Sequence, residues 1–139
     1  MKTILRIVEQ AGGYRRNLYL RVENPPYIAL VIEATPEPGP CGQPALSVAH
    51  YGEQNGDLMR DPEMCFEWSS PLGLKPELSP FYFRNDYTGT EQYSRRKDGK
   101  QYVFSSDLYR QHQSFAALWD KNLHKQGFLE AFARQQQRH

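Results

Sequence analysis

The 139-residue chain lacks the features that mark several large protein classes. It has only two cysteines, Cys41 and Cys65, too few for a disulfide framework or a metal knuckle. No apolar run approaches the roughly 20 residues needed to cross a bilayer, and residues 1–9 are too short and too charged for a signal peptide. We therefore expect a cytoplasmic protein with reduced thiols and no contact with a membrane.

Neither sign of charge dominates, since 17 basic and 16 acidic residues leave a formal net charge of +1. The chain as a whole is therefore not built around a basic field for nucleic acid. Glycine-rich phosphate loops, a serine nucleophile elbow and a His-Glu-x-x-His pair are also missing. These absences favour a protein that is not an enzyme, with no catalytic residues and no cofactor.

What is present indicates a folded chain, because aromatic residues make up 13% of it. The length suits one domain, residues 1–139. Apolar residues at helical spacing predict a first helix over 4–11 and a C-terminal helical pair from 105 onward, and apolar or alternating runs between them predict strands. We expect an α+β fold, an antiparallel sheet of about five strands packed against the N-terminal helix and the C-terminal helical pair. A Pro/Gly-rich loop lies near 35–44 and a polar tail near 134–139.

A β-hairpin is predicted at Asn55-Gly56, the dipeptide that best tolerates the positive φ angles of a type I′ turn. A two-residue loop pairs Gln54 with Asp57. Continued without a break, this register sets Val48 opposite Glu63, so that the apolar faces of the two strands point apart.

A bulge of one residue removes the conflict, because it restores Val48 opposite Met64 and Leu46 opposite Phe66. Asp61-Pro62 is the natural position, since a proline cannot donate to the ladder; Gly52 is the other candidate. We therefore predict a kinked hairpin that carries carboxylates near its kink.

Chemistry-bearing side chains gather around this hairpin. The candidate interaction or metal cluster comprises His50, Glu53, Asn55, Asp57, Asp61, Glu63 and, from a later turn, Asp86. Carboxylate oxygens bind hard divalent cations, and a histidine adds a ligand or a general base. One hypothesis is thus a divalent-metal-dependent hydrolase or nuclease. The alternative is structural: Asp57 closes the turn, Asp61 caps the bend before Pro62, and His50 is a half-buried histidine.

A second hairpin is predicted from residues 91–96 and 100–104, turning near Asp98-Gly99. Its tip carries the candidate nucleic-acid contacts Arg95, Arg96, Lys97 and Lys100, interleaved with tyrosines. Cations neutralise phosphates and aromatic rings stack on bases, so this tip is a possible nucleic-acid surface. The near-neutral chain makes a solvated turn the simpler alternative.

The box Ser47-x-x-His50-Tyr51-x-Glu53-Gln54-Asn55-Gly56-Asp57-x-Met59-x-Asp61-Pro62-Glu63 resembles a domain-of-unknown-function family of small plasmid, integrative-element and phage proteins. A weaker likeness continues through Asn85-Asp86-Tyr87-x-Gly89 and Gln126-Gly127-Phe128. The resemblance implies no particular reaction. Cargo genes of this kind often act on host defence, transfer or regulation, an association that does not come from chemistry.

The leading hypothesis is an accessory protein of a mobile element, a non-enzymatic protein-interaction module with a protein partner not yet identified. Its tyrosine and arginine content suits an interface. Metal-dependent hydrolysis and nucleic-acid binding remain the alternatives.

Overall fold

The computed structural model describes residues 1–138, and His139, the end of the predicted polar tail, lies outside them. Within this range the helices are α1 (Lys2–Gln10), α2 (Ser106–Lys125) and α3 (Phe128–Gln137). The strands are β1 (Tyr19–Asn24), β2 (Tyr27–Ala34), β3 (Ala45–Gln54), β4 (Asp57–Ser69), β5 (Glu77–Asn85), β6 (Thr90–Tyr93), β7 (Arg95–Asp98) and β8 (Gln101–Phe104). A short 3₁₀ turn spans Pro71–Gly73.

The predicted α+β class is confirmed, although the sheet is larger than expected. Strands β1 to β6 form one antiparallel sheet in chain order, and β7 and β8 form a separate two-stranded ribbon, as far as residues 1–138 are described. The extra strands come from the segment predicted as one hairpin over 91–104. Its first strand divides at Ser94, whose backbone N–H donates to Phe81 O at 3.0 Å while Ser105 N–H donates to Ser94 O at 2.8 Å.

The register of the β3–β4 hairpin is confirmed. Asn55 and Gly56 have φ angles of 53° and 86°, and Gln54 pairs with Asp57. After the shift, Val48 faces Met64 and Leu46 faces Phe66, as required to keep both apolar faces on the same side. The shift lies where His50 faces both Asp61 and Pro62, which is the position expected from the missing N–H of proline.

All three helices cover the same face of the main sheet. Alternate residues of β1 to β4 point toward them and build the core with apolar side chains of the helices. The largest buried members are Phe66, Phe128, Ile4, Ile7, Leu18, Leu30, Ile32, Leu46, Met64 and Leu123. None of the helices in the described range is both long and apolar enough to span a membrane.

Side-chain hydrogen bonds attach the helices to one another and to the sheet edge. Asp120 Oδ1 on α2 accepts from the backbone N–H of Thr3 at 2.8 Å, satisfying a free donor at the start of α1. Asn24 Nδ2 donates to Gln126 O at 2.8 Å, which links the β1–β2 turn to the α2–α3 junction. Helix α3 continues to Gln137, so the segment predicted as a polar tail from 134 is helical up to that residue.

The side chain of Gln135 on α3 takes the place of a neighbouring strand at the outer edge of β1. Its Nε2 donates to Arg21 O at 2.8 Å, and its Oε1 accepts from the N–H of Glu23 at 3.2 Å. An adjoining strand would offer the same pair of groups, so this amide occupies the edge that would otherwise be open to pairing with another chain.

We expect Gln135→Ala to lower the free energy of unfolding by about 1 kcal/mol, because two partly exposed hydrogen bonds are lost. It should also increase self-association, since the β1 edge becomes available. Urea denaturation and sedimentation velocity measure the two effects. Gln137→Ala, at an exposed position of the same helix, is the matched control, and equal behaviour of the two variants would contradict edge protection.

Candidate functional site

The face of the main sheet opposite the helices, here called the open face, is covered at one end, where Glu67 bonds to Arg95 of β7 and to the loop at Cys41 and Gln43. Its centre consists of small or short side chains that are nevertheless less than a tenth exposed, namely Val31, Ser47, Ala49 and Cys65. Longer side chains on either side cover them. The open face therefore has a compact floor and a polar, aromatic periphery.

Next to this floor, on β4 and β5, the open face carries a network of paired charges. Ser47 Oγ donates to Glu63 Oε2 at 2.5 Å, and Arg60 Nε lies 3.1 Å from Glu63 Oε1. Asp86 accepts from the backbone N–H of Arg60 at 2.8 Å and from Arg84 Nε at 2.7 Å. These donors, the Arg60 N–H first, hold the pKa of the Asp86 carboxyl below its usual range.

Beyond this network, β5 and β6 add an aromatic pair. The rings of Tyr82 and Tyr93 lie 4.8 Å apart between centroids. Tyr82 OH donates to Glu91 Oε2 at 2.5 Å, and burial together with Glu91 raises the pKa of the Tyr82 hydroxyl. Arg84 Nη1 lies 3.5 Å from the same oxygen of Glu91, so the charges here also neutralise one another.

A cleft of about 420 Å³ opens at the β1–β3 side of the open face. It is lined by Tyr19, Arg21, Val31, Glu33, Tyr51 and Arg60. Leu58 also lines the cleft and is 72% exposed. An apolar floor between two tyrosines, with charged groups around it, is suited to receive a side chain of a larger molecule.

The predicted hairpin cluster is divided among separate environments. Glu63 and Asp86 reach the open face, in the network described above. His50 lies on the helical side, where its ring packs 5.6 Å from Trp119 and 5.7 Å from Phe128 between centroids. Its Nδ1 is 3.2 Å from Ala29 O, and burial lowers the pKa of the imidazole.

The remaining members lie at the hairpin tip or near its kink. Glu53, Asn55 and Asp57 are exposed around the turn, and Asp61 Oδ1 accepts from Asn85 Nδ2 at 3.2 Å. Among residues 1–138, no group of three or more His, Cys, Asp or Glu side chains is placed to hold a metal ion. The hypothesis of a divalent-metal hydrolase therefore gains no support from the arrangement of these residues.

The candidate nucleic-acid contacts also separate. Arg95 is 6% exposed and points into the protein, where its Nη1 lies 2.7 Å from Glu67 Oε1. The prediction that Arg95 belongs to an exposed basic tip is wrong. Its side chain points into the protein because the guanidinium pairs with the buried carboxylate of Glu67. Arg96, Lys97 and Lys100 are exposed on the β7–β8 ribbon.

The buried pair of Glu67 and Arg95 is the polar feature that sequence reasoning missed. Glu67 Oε2 also accepts from the N–H groups of Cys41, at 3.0 Å, and Gln43, at 3.2 Å, in the Pro/Gly-rich loop. A signal was available in β4, because Glu67 interrupts the apolar run from Met64 to Trp68. A carboxylate at such a position needs a partner, and only the tertiary structure identifies it as Arg95.

The family of the chain follows from comparison with known proteins. The model of the family DUF6908, described as a domain of unknown function, matches residues 2–129. The chain belongs to this family. The DUF6908 match spans the sheet, α1, α2 and the start of α3, and so includes the open face and the ribbon. A search of curated proteins and a search of solved structures found no match.

Proposed function

We propose that the protein is a non-enzymatic interaction module that binds a folded protein partner through its open face. The observation that carries the proposal is the composition of that face: a floor of small residues is surrounded by tyrosines and by arginines already paired with carboxylates. Tyr19 and Tyr93 are 56% and 47% exposed. Tyrosine and arginine are the residues most enriched at protein interfaces.

The charge of the open face favours a protein over a nucleic acid. Arg21, Arg60 and Arg84 each lie within 4 Å of at least one carboxylate, and a phosphate backbone would have to displace those carboxylates. The cleft is open to one side and no larger than a few side chains. A partner surface that inserts one anchor residue there and spreads over the tyrosines fits these features.

The biological setting is part of the proposal. The likeness of the box over 47–63 to small proteins of plasmids, integrative elements and phages supports an accessory role in a mobile element. A partner from the host's defence or regulatory machinery, or one encoded by the element, is consistent with this setting.

A comparative capture experiment tests the open face. The full chain, the double variant Tyr19→Ala/Tyr51→Ala and the control Leu118→Ala are immobilised and exposed to lysate of the organism that carries the gene. Leu118 is also a large exposed side chain, but it lies on α2. We expect one protein to be retained by the parent chain and the control, and at least about tenfold less by the double variant, as for hot-spot residues.

The comparison is made after thermal melting has shown that all three chains are folded. A partner retained equally by all three chains would contradict the open face as the binding surface. Retention of no protein by the parent chain would contradict the proposal as a whole.

A further inference from the structure

The β7–β8 ribbon is a second surface, which extends from the Glu67 end of the open face. It pairs Arg95 with Phe104, Arg96 with Val103, Lys97 with Tyr102 and Asp98 with Gln101. No other strand pairs with either of its edges within residues 1–138. Arg95 anchors one end through Glu67 and through Ser79 O, which accepts from Arg95 Nη2 at 3.1 Å. The rest of the ribbon extends from this anchored end.

One side of the ribbon presents two aromatic rings. Tyr102 and Phe104 occupy alternate positions of β8 and therefore point to the same side. Their rings are parallel to within 10°, with centroids 6.4 Å apart, and each residue is 48% exposed. The ring of Phe104 packs against the ring of Tyr109 on α2, with 5.5 Å between the centroids. Parallel, exposed rings on a supported strand form a platform on which planar groups can stack.

Three cations of the ribbon, Arg96, Lys97 and Lys100, differ from those of the open face because they have no carboxylate partners. Among the described residues, no ion pair involves Arg96, Lys97 or Lys100. Asp98 is the single acidic residue between 95 and 104; because Glu67 compensates Arg95, the three remaining basic residues leave a local net charge of +2. Lys97 lies directly across from Tyr102. An anionic ligand would therefore meet positive charge beside an aromatic surface.

We infer that the ribbon binds single-stranded nucleic acid, with phosphates held by Lys97, on the same side as the rings, and by Lys100 in the turn, and bases stacked on Tyr102 and Phe104. Phosphate recognition requires cations without internal partners, and stacking requires exposed ring faces; the ribbon provides both within residues 97–104. A duplex keeps its bases stacked on one another, so it offers the rings nothing to stack on. This inference does not depend on the proposed protein partner of the open face.

Fluorescence anisotropy with a labelled oligothymidine tests the inference, with a duplex of the same length as comparison. We expect the single strand to bind more tightly than the duplex at low salt. With two phosphate contacts, the logarithm of the association constant should fall against the logarithm of salt with a slope of about −1.4. Absence of binding at low salt, or preference for the duplex, would overturn the inference.

Paired variants separate stacking from general electrostatic attraction. Tyr102→Ala should weaken binding about 5- to 150-fold, the range for one stacked base, while Tyr102→Phe keeps the ring and the affinity. Lys97→Gln should weaken binding and reduce the salt slope. Lys125→Gln, at an exposed position of α2, changes the net charge equally and should have little effect.

Equal losses in Lys97→Gln and Lys125→Gln would show attraction to the whole chain and contradict a site on the ribbon. A polyglutamate peptide is the probe for an acidic protein segment. If it displaces the oligonucleotide at equal concentration of charge, the ribbon recognises anionic chains in general, and the assignment to nucleic acid is wrong. We expect it to compete poorly, because it has no bases to stack on the rings.

Discussion

Glu67→Gln is expected to lower the free energy of unfolding by about 3 kcal/mol, because it leaves the Arg95 guanidinium buried without a counter-charge. Glu67 is 3% exposed. Arg95 donates to Glu67 and also to Pro80 O, at 3.2 Å, from its Nε. The same carboxylate holds the loop at Cys41 and Gln43. Urea denaturation followed by circular dichroism measures the loss.

Two further variants show whether the ion pair is responsible. Glu53→Gln, at the exposed hairpin tip, should change stability by no more than about 0.5 kcal/mol. Replacing Glu67 and Arg95 together by Leu and Met should cost less than the sum of the single losses, because neither charge is then left unpaired. Additive losses would contradict a direct interaction between the two side chains.

The close fit of the loop allows an independent perturbation of the same site. A Cβ added at Gly39 would lie 2.1 Å from Glu67 Cγ, so the buried carboxylate would have to move. Gly39→Ala should therefore weaken the same network without changing any charge. A destabilisation comparable to that of Glu67→Gln would show that the contacts between this loop and the Glu67–Arg95 pair account for much of the stability of the site.

The second large effect is a loss of stability in mild acid. His112 is 2% exposed, with Nδ1 2.9 Å from Ser94 Oγ and Nε2 3.1 Å from Gln92 Oε1. Burial lowers the pKa of His112 and also that of His50. The unfolded chain therefore binds protons at these two residues at a higher pH than the folded protein does.

The sign of the pH dependence follows from these lowered pKa values. The stabilising contribution is complete above the unfolded histidine pKa of about 6.5 and is lost as the pH falls toward the folded values. Each histidine that stays neutral adds a slope of up to about 1.4 kcal/mol per pH unit, so two give up to about 2.7. The contribution of Asp86 is lost only in more acidic solution, below the carboxyl pKa of about 3.9.

Urea denaturation at a series of pH values between about 5 and 7.5, the range in which histidines titrate, measures this slope. His112→Gln should reduce the slope of the unfolding free energy against pH by up to about 1.4 kcal/mol per pH unit, the contribution of one histidine. This holds even if the variant is less stable at neutral pH. Gln113→Ala, at an exposed position of the same helix that carries no titratable group, should keep the slope of the parent chain. A parent chain with equal stability across the range would contradict the burial of neutral histidines.

Much of the fold could be predicted because its signals are local. The turn at Asn55-Gly56, the alternation on β3 and β4 and the missing N–H of Pro62 together determine the hairpin register. They lie within one stretch of chain, and a slip of one residue would bury the wrong face. Helical spacing likewise predicted α1 and the C-terminal pair, and the α+β class followed from the order of the elements.

The functional groups were harder to predict because their surroundings come from distant parts of the chain. His50 and Glu63 are neighbours in the hairpin, yet they lie on opposite faces of the sheet, one against Trp119 and the other bonded to Ser47. Asp86 lies beside the hairpin, where it meets arginines and not the other carboxylates. Proximity in sequence therefore did not produce a common site.

The sequence by itself determined the class of fold, the register of the central hairpin and the absence of a familiar catalytic motif, because each depends on short-range pattern and turn chemistry. Only the tertiary structure decided which cations are buried and which are exposed. Arg95 and Arg96 are adjacent and alike in sequence. Alternation along β7 turns Arg95 toward Glu67, 28 residues away in the chain, and leaves Arg96 in solvent. A buried charge needs a partner that its own segment does not supply.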